Sequence, residues 1–154
     1  MSARQVGAGA ACAVGAGIAA YLALVELTAE RVPLLCTTGG VVNCGQVLTS
    51  GAARIGPVPV AVLGAAWFVG MLGLVVRGQW DLATLGWSGA GMAFVLYLIY
   101  AELFLIGAIC LWCTVVHLLV FGLFLVSLDG YLAGSARPVP GAAEGRETAR
   151  GKVR

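Results

Sequence analysis

Four of the five cysteines in this chain are spaced so that they can act in pairs. In Cys110-Leu111-Trp112-Cys113 two thiols stand three residues apart. On a helix they share one face about one turn apart, so they can close a small, reversible disulfide. Cys36 and Cys44 are eight apart in a glycine-containing stretch and can close a second. Closing a loop of that size contributes about 2.5 kcal/mol on the chain-entropy model, so this pair alone reads equally as a structural staple or as an electron shuttle. The chemistry on offer is thiol–disulfide exchange, in which a thiolate attacks a disulfide sulfur through a mixed disulfide. Zinc is a competing reading, because four thiolates can form a tetrahedral site, although Cys36 and Cys44 are wide apart for half of one. Cys12, in a Gly/Ala-rich helix, is left over as a small packing residue.

The surroundings of these cysteines set the solvent. Gly89 to Leu128 is a run of forty residues in which Glu102 is the only acidic or basic side chain. The whole chain is 60% hydrophobic and 10% charged, against about 25% charged in soluble domains. So much apolar surface needs lipid around it. A formal charge of +2, with no basic cluster among aromatics, gives no basis for nucleic-acid binding. No strand–turn–helix context precedes Cys110, so a soluble thioredoxin-type protein does not fit either.

The elements that must position the cysteines follow from length. After a short N-terminus (residues 1–5), the stretch 6–27 is long enough to cross a bilayer and longer than a signal-peptide core. Glu26, Glu30 and Arg31 mark its expected exit into water. Residues 30–57 form the one long polar connection, with a short interfacial helix over Gly45–Ser50. A second helix runs over about 58–76, after Pro57 and Pro59. The forty residues from Gly89 would make a single helix about 60 Å long, twice the ~30 Å hydrocarbon core. Two helices are therefore expected, about 82–102 and 109–128, reversing between Glu102 and Ile109 with Gly107 at the turn. Residues 129–154 lack an apolar period and are expected to be a disordered tail. The fold class is thus an all-α integral membrane protein of four transmembrane helices.

Four spans put both termini on one side, together with Arg4, Arg77, Arg137, Arg146, Arg150, Lys152 and Arg154. Arg31 and Arg54 lie opposite. The positive-inside rule then puts the termini in the cytoplasm and the four paired cysteines outside, where disulfides persist. Two cysteine pairs on that one side favour the shuttle over the staple.

The pattern Cys36-x7-Cys44-x5-Ser50, followed by Tyr97-Leu-Ile-Tyr100 and Cys110-x2-Cys113, resembles the vitamin K epoxide reductase family over about residues 8–128. Pro57 to Gly64 and the segment from Tyr97 to Cys113 are similar to its bacterial, actinobacterial-type members. The resemblance implies a four-helix bundle enclosing a quinone of the menaquinone or ubiquinone type, with the external loop and its short interfacial helix capping the site. It also implies a separate extracytoplasmic thioredoxin-fold (DsbA-like) partner, which the protein would oxidise. It carries Cys36 and Cys44 over as the shuttle pair, Cys110 and Cys113 as the active-site pair with Cys113 nearest the quinone, and Ser50 as a hydroxyl beside the site. The animal enzymes are implied to use a Tyr and an Asn where this chain has His117 and Val60. That makes reduction of vitamin K or its epoxide the alternative function, ahead of a non-enzymatic metal-binding membrane protein.

The remaining candidates follow from placement. His117 lies four residues after Cys113 on the same helix face and is a candidate donor to a quinone oxygen. Trp67, Phe68 and Tyr97 are candidate pocket residues. Glu102 is expected at the water boundary, with a proton relay as its other reading.

Overall fold

A computed structural model describes residues 2–28, 36 and 38–135. Among them are four helices long and apolar enough to cross a membrane. They are α1 (Ala3–Leu27), α3 (Val60–Arg77), α4 (Leu82–Tyr100), which runs on as a π-helical turn Ala101–Ile106, and α5 (Leu111–Ser135). Between α1 and α3 lie a two-residue hairpin (β1 Thr38–Gly39, β2 Val42–Asn43), the short helix α2 (Cys44–Leu48) and a 3-10 turn Gly51–Ala53. A second hairpin (β3 Arg54–Ile55, β4 Val58–Pro59) leads into α3.

Local chemistry fixes the ends of these elements. Ser2 and Gln5 cap α1 reciprocally, the Ser2 hydroxyl accepting the Gln5 N–H and the Gln5 side chain accepting the Ser2 N–H. Asp81 caps α4 by accepting the Thr84 N–H at 3.0 Å, a bond that holds its carboxyl below the usual carboxylate range. Gly107, with φ 69°, ends the third span in the left-handed conformation that glycine adopts most readily. The third span therefore runs to Ile106, and the reversal falls at Gly107 as expected.

Helix α1 packs on α3 and α5, and α4 packs on α5. Its buried residues Ala8, Cys12, Gly15, Ala19 and Leu22 recur every three to four positions, a mostly small-residue stripe that lets backbones approach. A Cβ at Gly15 would overlap the ring of Phe68, which is buried beside Met71, Val75 and Leu123. Val69, Phe104 and Leu118 point outward on the exposed surface, as side chains do when lipid is the solvent.

Several boundaries differ from the sequence expectation, among them the end of the third span, at Ile106 rather than about 102. Helix α3 starts at Val60 because Val58 and Pro59 are taken up by the second hairpin. Helix α5 continues to Ser135, past the expected end at 128. Arg4 pairs with Asp129 at 2.7 Å and lies over the Trp80 ring, and Trp80 in turn packs onto Gly130. These partners come from distant parts of the chain. Residues 136–154, and with them most of the expected tail, lie outside the described residues, as do Glu30 and Arg31.

Gly15→Val is expected to destabilise the bundle by about 1–3 kcal/mol, the usual cost of overpacking. Thermal unfolding in detergent, compared with Gly17→Val, which meets no neighbour, checks it.

Candidate functional site

The site is built where the loop meets the reversal before α5. Strand β2 forms a parallel bridge, Val42 to Ile109, beyond the second and third spans. The Asn43 N–H donates to the Ile109 carbonyl at 3.1 Å, and the Ile109 N–H donates to the Val41 carbonyl at 2.9 Å. The Asn43 side chain then accepts the Gln46 N–H at 3.0 Å and starts α2 at Cys44. The residue after each bridged segment is a cysteine. Cys44 and Cys110 are both fully buried and share one apolar cluster with Val47 and Ala108, flanked by Cys36 and Cys113.

Cys36 and Cys44 are joined in a disulfide, their Cα atoms 6.1 Å apart, while Cys110 and Cys113 are thiols. Cys36 is partly exposed and is the outward sulfur of its pair. The Cys113 N–H donates to the Cys110 sulfur at 3.3 Å, and the Cys110 carbonyl accepts both the N–H and the hydroxyl of Thr114. Cys110 thus occupies the capping position of α5, and it is Cys110 rather than Cys113 that receives the helix's first N–H groups.

Below this cluster lies a cavity of about 380 Å³ walled by α1, the loop, α3, α4 and α5, within the ~300–1,000 Å³ range of small-molecule sites. Its wall is apolar except for Glu26, Ser50, Glu102, Cys113 and His117. Trp67 and Trp87 join α3 to α4 on its wall, each indole N–H donating to the other's carbonyl at 3.2 Å. Ser50 is on the wall, its hydroxyl donating to the Val47 carbonyl at 2.7 Å. The loop is tied down at two further points. Arg54 pairs with Glu26 at 2.7 Å, and the Gln46 side chain donates to the Ile106 carbonyl at 3.2 Å.

Of the expected pocket residues, Trp67, Phe68, Ser50, His117 and Cys113 line the cavity. Tyr97 does not. It is half exposed on the outer face of α4, its ring tilted against Phe94. Helix α4 is apolar on every side, so its sequence carries no mark of which face turns inward. Two acidic residues expected at water are instead inside. The Glu26 side chain is 6% exposed, because Arg54 from the loop comes down to it. Glu102 is 7% exposed and lines the cavity together with Cys113. Its isolation in forty apolar residues was the available signal, since an ionisable group within a membrane span faces the bundle interior.

A family model described as the vitamin K epoxide reductase family matches residues 7–128. The chain belongs to that family. The match covers all four spans up to Leu128 and all four paired cysteines. Vitamin K epoxide reductase family membership makes this a multi-pass membrane redox enzyme of the thiol–disulfide and quinone kind.

The cavity reaches Cys113 but not Cys110 or Cys12, which are buried. N-ethylmaleimide, added with the loop disulfide closed, is therefore expected to modify Cys113 ahead of both, as read by peptide mass spectrometry. Modification of Cys110 or Cys12 first would contradict this geometry.

Proposed function

We propose that this protein oxidises an extracytoplasmic thioredoxin-fold, DsbA-like protein and passes the electrons through its two cysteine pairs to a membrane quinone, menaquinone or ubiquinone in type. This places it with the bacterial, actinobacterial-type members that support disulfide formation. The observation that carries the proposal is the gathering of all four cysteines in one cluster, with Cys36 partly exposed at one end and Cys113 on the cavity wall at the other.

Each step follows from that placement. A partner thiolate attacks Cys36, the accessible sulfur, and Cys44 leaves as the thiolate. The partner's second thiol then releases Cys36 and closes the partner's own disulfide. Cys44, fully buried against Cys110, attacks Cys110 of the closed helix pair, and Cys113 leaves. Cys36 completes the exchange, so that the loop pair is again a disulfide and the helix pair a dithiol. That is the arrangement described here. The quinone accepts two electrons and two protons from this dithiol, which returns to the disulfide. His117, one turn below Cys113 on the cavity wall, is placed to hydrogen-bond a quinone oxygen, while Ser50, Trp67 and Phe68 bound the site. Bulk water is held off by the loop, which Arg54 and Gln46 fasten to α1 and to the π turn.

The charge asymmetry supports an orientation with the termini cytoplasmic and the cysteines outside. Reduction of vitamin K or its epoxide is the second reading. His117 and Val60, where the animal enzymes are implied to have Tyr and Asn, favour the first. A four-thiolate metal site is disfavoured because Cys36 and Cys44 are already joined to each other.

Purified protein in detergent, with a reduced thioredoxin-fold donor, is expected to reduce a short-chain quinone. Cys113→Ala abolishes turnover with every donor. Cys36→Ala loses turnover with the protein donor but keeps it with a small dithiol that reaches the inner pair directly. Wild type that reduces no quinone with either donor would overturn the proposal.

A further inference from the structure

Glu102 is the one Asp, Glu, Lys or Arg between Gly89 and Leu128, and nothing in the exchange of disulfides requires it. Its position is nevertheless firmly made. The third span changes from α-helix to a π-helical turn at Ala101–Ile106, a local irregularity that often marks functional sites. Within that turn the Glu102 carbonyl accepts N–H groups from both Gly107 and Ala108, the second at 3.1 Å. Gln46 from the loop holds the end of the same turn through Ile106. The next three side chains, Leu103, Phe104 and Leu105, are exposed, while Glu102 turns inward to 7% exposure. There it lines the cavity together with Cys113.

Of the other polar groups on the wall, Glu26 pairs with Arg54 through Oε1, leaving Oε2 without a hydrogen bond among the described residues, and the Ser50 hydroxyl donates to the Val47 carbonyl. His117 lies a turn further along α5. Glu102 is the carboxyl on that wall outside any ion pair among the described residues, and it shares the wall with Cys113.

We propose that Glu102 is the proton carrier between the Cys110–Cys113 dithiol and the quinone, a role that rests on the function proposed above. Closing the helix pair forms one S–S bond, breaks two S–H bonds and releases two electrons and two protons. Converting a quinone to its hydroquinone takes up the same two electrons and makes two O–H bonds. In this scheme the Cys113 proton passes to the Glu102 carboxylate and from there to a quinone oxygen. The Cys110 proton leaves through the same carboxyl as the sulfurs join, and Glu102 ends as the carboxylate it began as. Cys110 is fully buried and Cys113 opens onto an apolar cavity, so a carboxyl on that wall serves as the proton carrier for both.

The test uses the full-length protein with dithiothreitol as donor and a short-chain ubiquinone as acceptor, which bypasses the partner. Glu102→Gln keeps the shape and removes the carboxyl. It is expected to lower kcat by about 10²-fold or more, the usual worth of a positioned acid–base group, with KM for the quinone unchanged. Glu102→Asp restores part of that loss. A Glu102→Gln enzyme with wild-type kcat overturns the proposal, as does a loss confined to KM or one equally deep in Glu102→Asp. Should Glu102→Gln fail to fold, Glu102→Asp carries the test. A lowered kcat with a larger solvent isotope effect in D2O than wild type supports proton transfer through this group. A kcat and isotope effect equal to those of wild type overturn it. An active wild type with an equally active Glu102→Gln removes this proposal alone, whereas an inactive wild type removes it together with the quinone-reductase function.

Discussion

Two backbone hydrogen bonds hold the chemistry of this protein together. They join the strand Val42–Asn43 to Ile109 and so fix a loop between the first two spans against the reversal between the last two. Because the next residue on each side is a cysteine, the bridge sets the distance between two redox pairs some sixty residues apart in sequence. A net contribution of about 0.5–1.5 kcal/mol per bond is small for folding. Its effect on reactivity is larger, since thiol–disulfide exchange depends on which sulfurs can reach one another. The loop disulfide, the Asn43 cap on α2, the Gln46 bond to Ile106 and the Arg54–Glu26 pair all brace this junction from separate directions.

The cavity beneath depends on a different constraint, the pairing of large rings with small residues. Trp67 packs onto Gly91, Trp87 onto Gly70 and Phe68 onto Gly15. Each glycine lets a helix carry an aromatic where two backbones would otherwise close up. The bundle is thereby tight where α1 meets α3 and open between α3, α4 and α5. In a membrane, where apolar burial does not itself draw helices together, such fits and a few hydrogen bonds do most of the associating. The reciprocal Trp67 and Trp87 bonds serve this purpose and leave the space between the helices apolar, as the ring and tail of a quinone require.

Much of this was legible in the sequence because lipid imposes blunt rules. Span length and the excess of apolar residues located four helices, and the impossibility of a 47-residue span placed a reversal at Gly107. The cysteine pattern, with Ser50 and the segment around Tyr97, carried the family. What stayed hidden was anything decided by distant partners. Helix α5 reaches Ser135 because Arg4 and Trp80 meet Asp129 and Gly130. Glu26 is inside because Arg54 folds back onto it. Tyr97 faces outward on a helix whose sides are alike in polarity, so no periodicity pointed the other way. Glu102 was misplaced at the water boundary for a related reason. A charge near a span's end looks like an exit signal unless the cysteines it faces are known to be beside it.

The account stands or falls on direct passage between the two pairs through Cys44 and Cys110. The double variant Cys36→Ser/Cys113→Ser leaves these two as the buried thiols of the cluster, with the original partners of both removed. Mild oxidation of that protein in membranes, followed by proteolysis and mass spectrometry without reduction, is expected to yield a peptide pair linked between Cys44 and Cys110. Recovery of both as free thiols, or of Cys110 linked elsewhere, would contradict the relay and leave the loop disulfide as a structural staple.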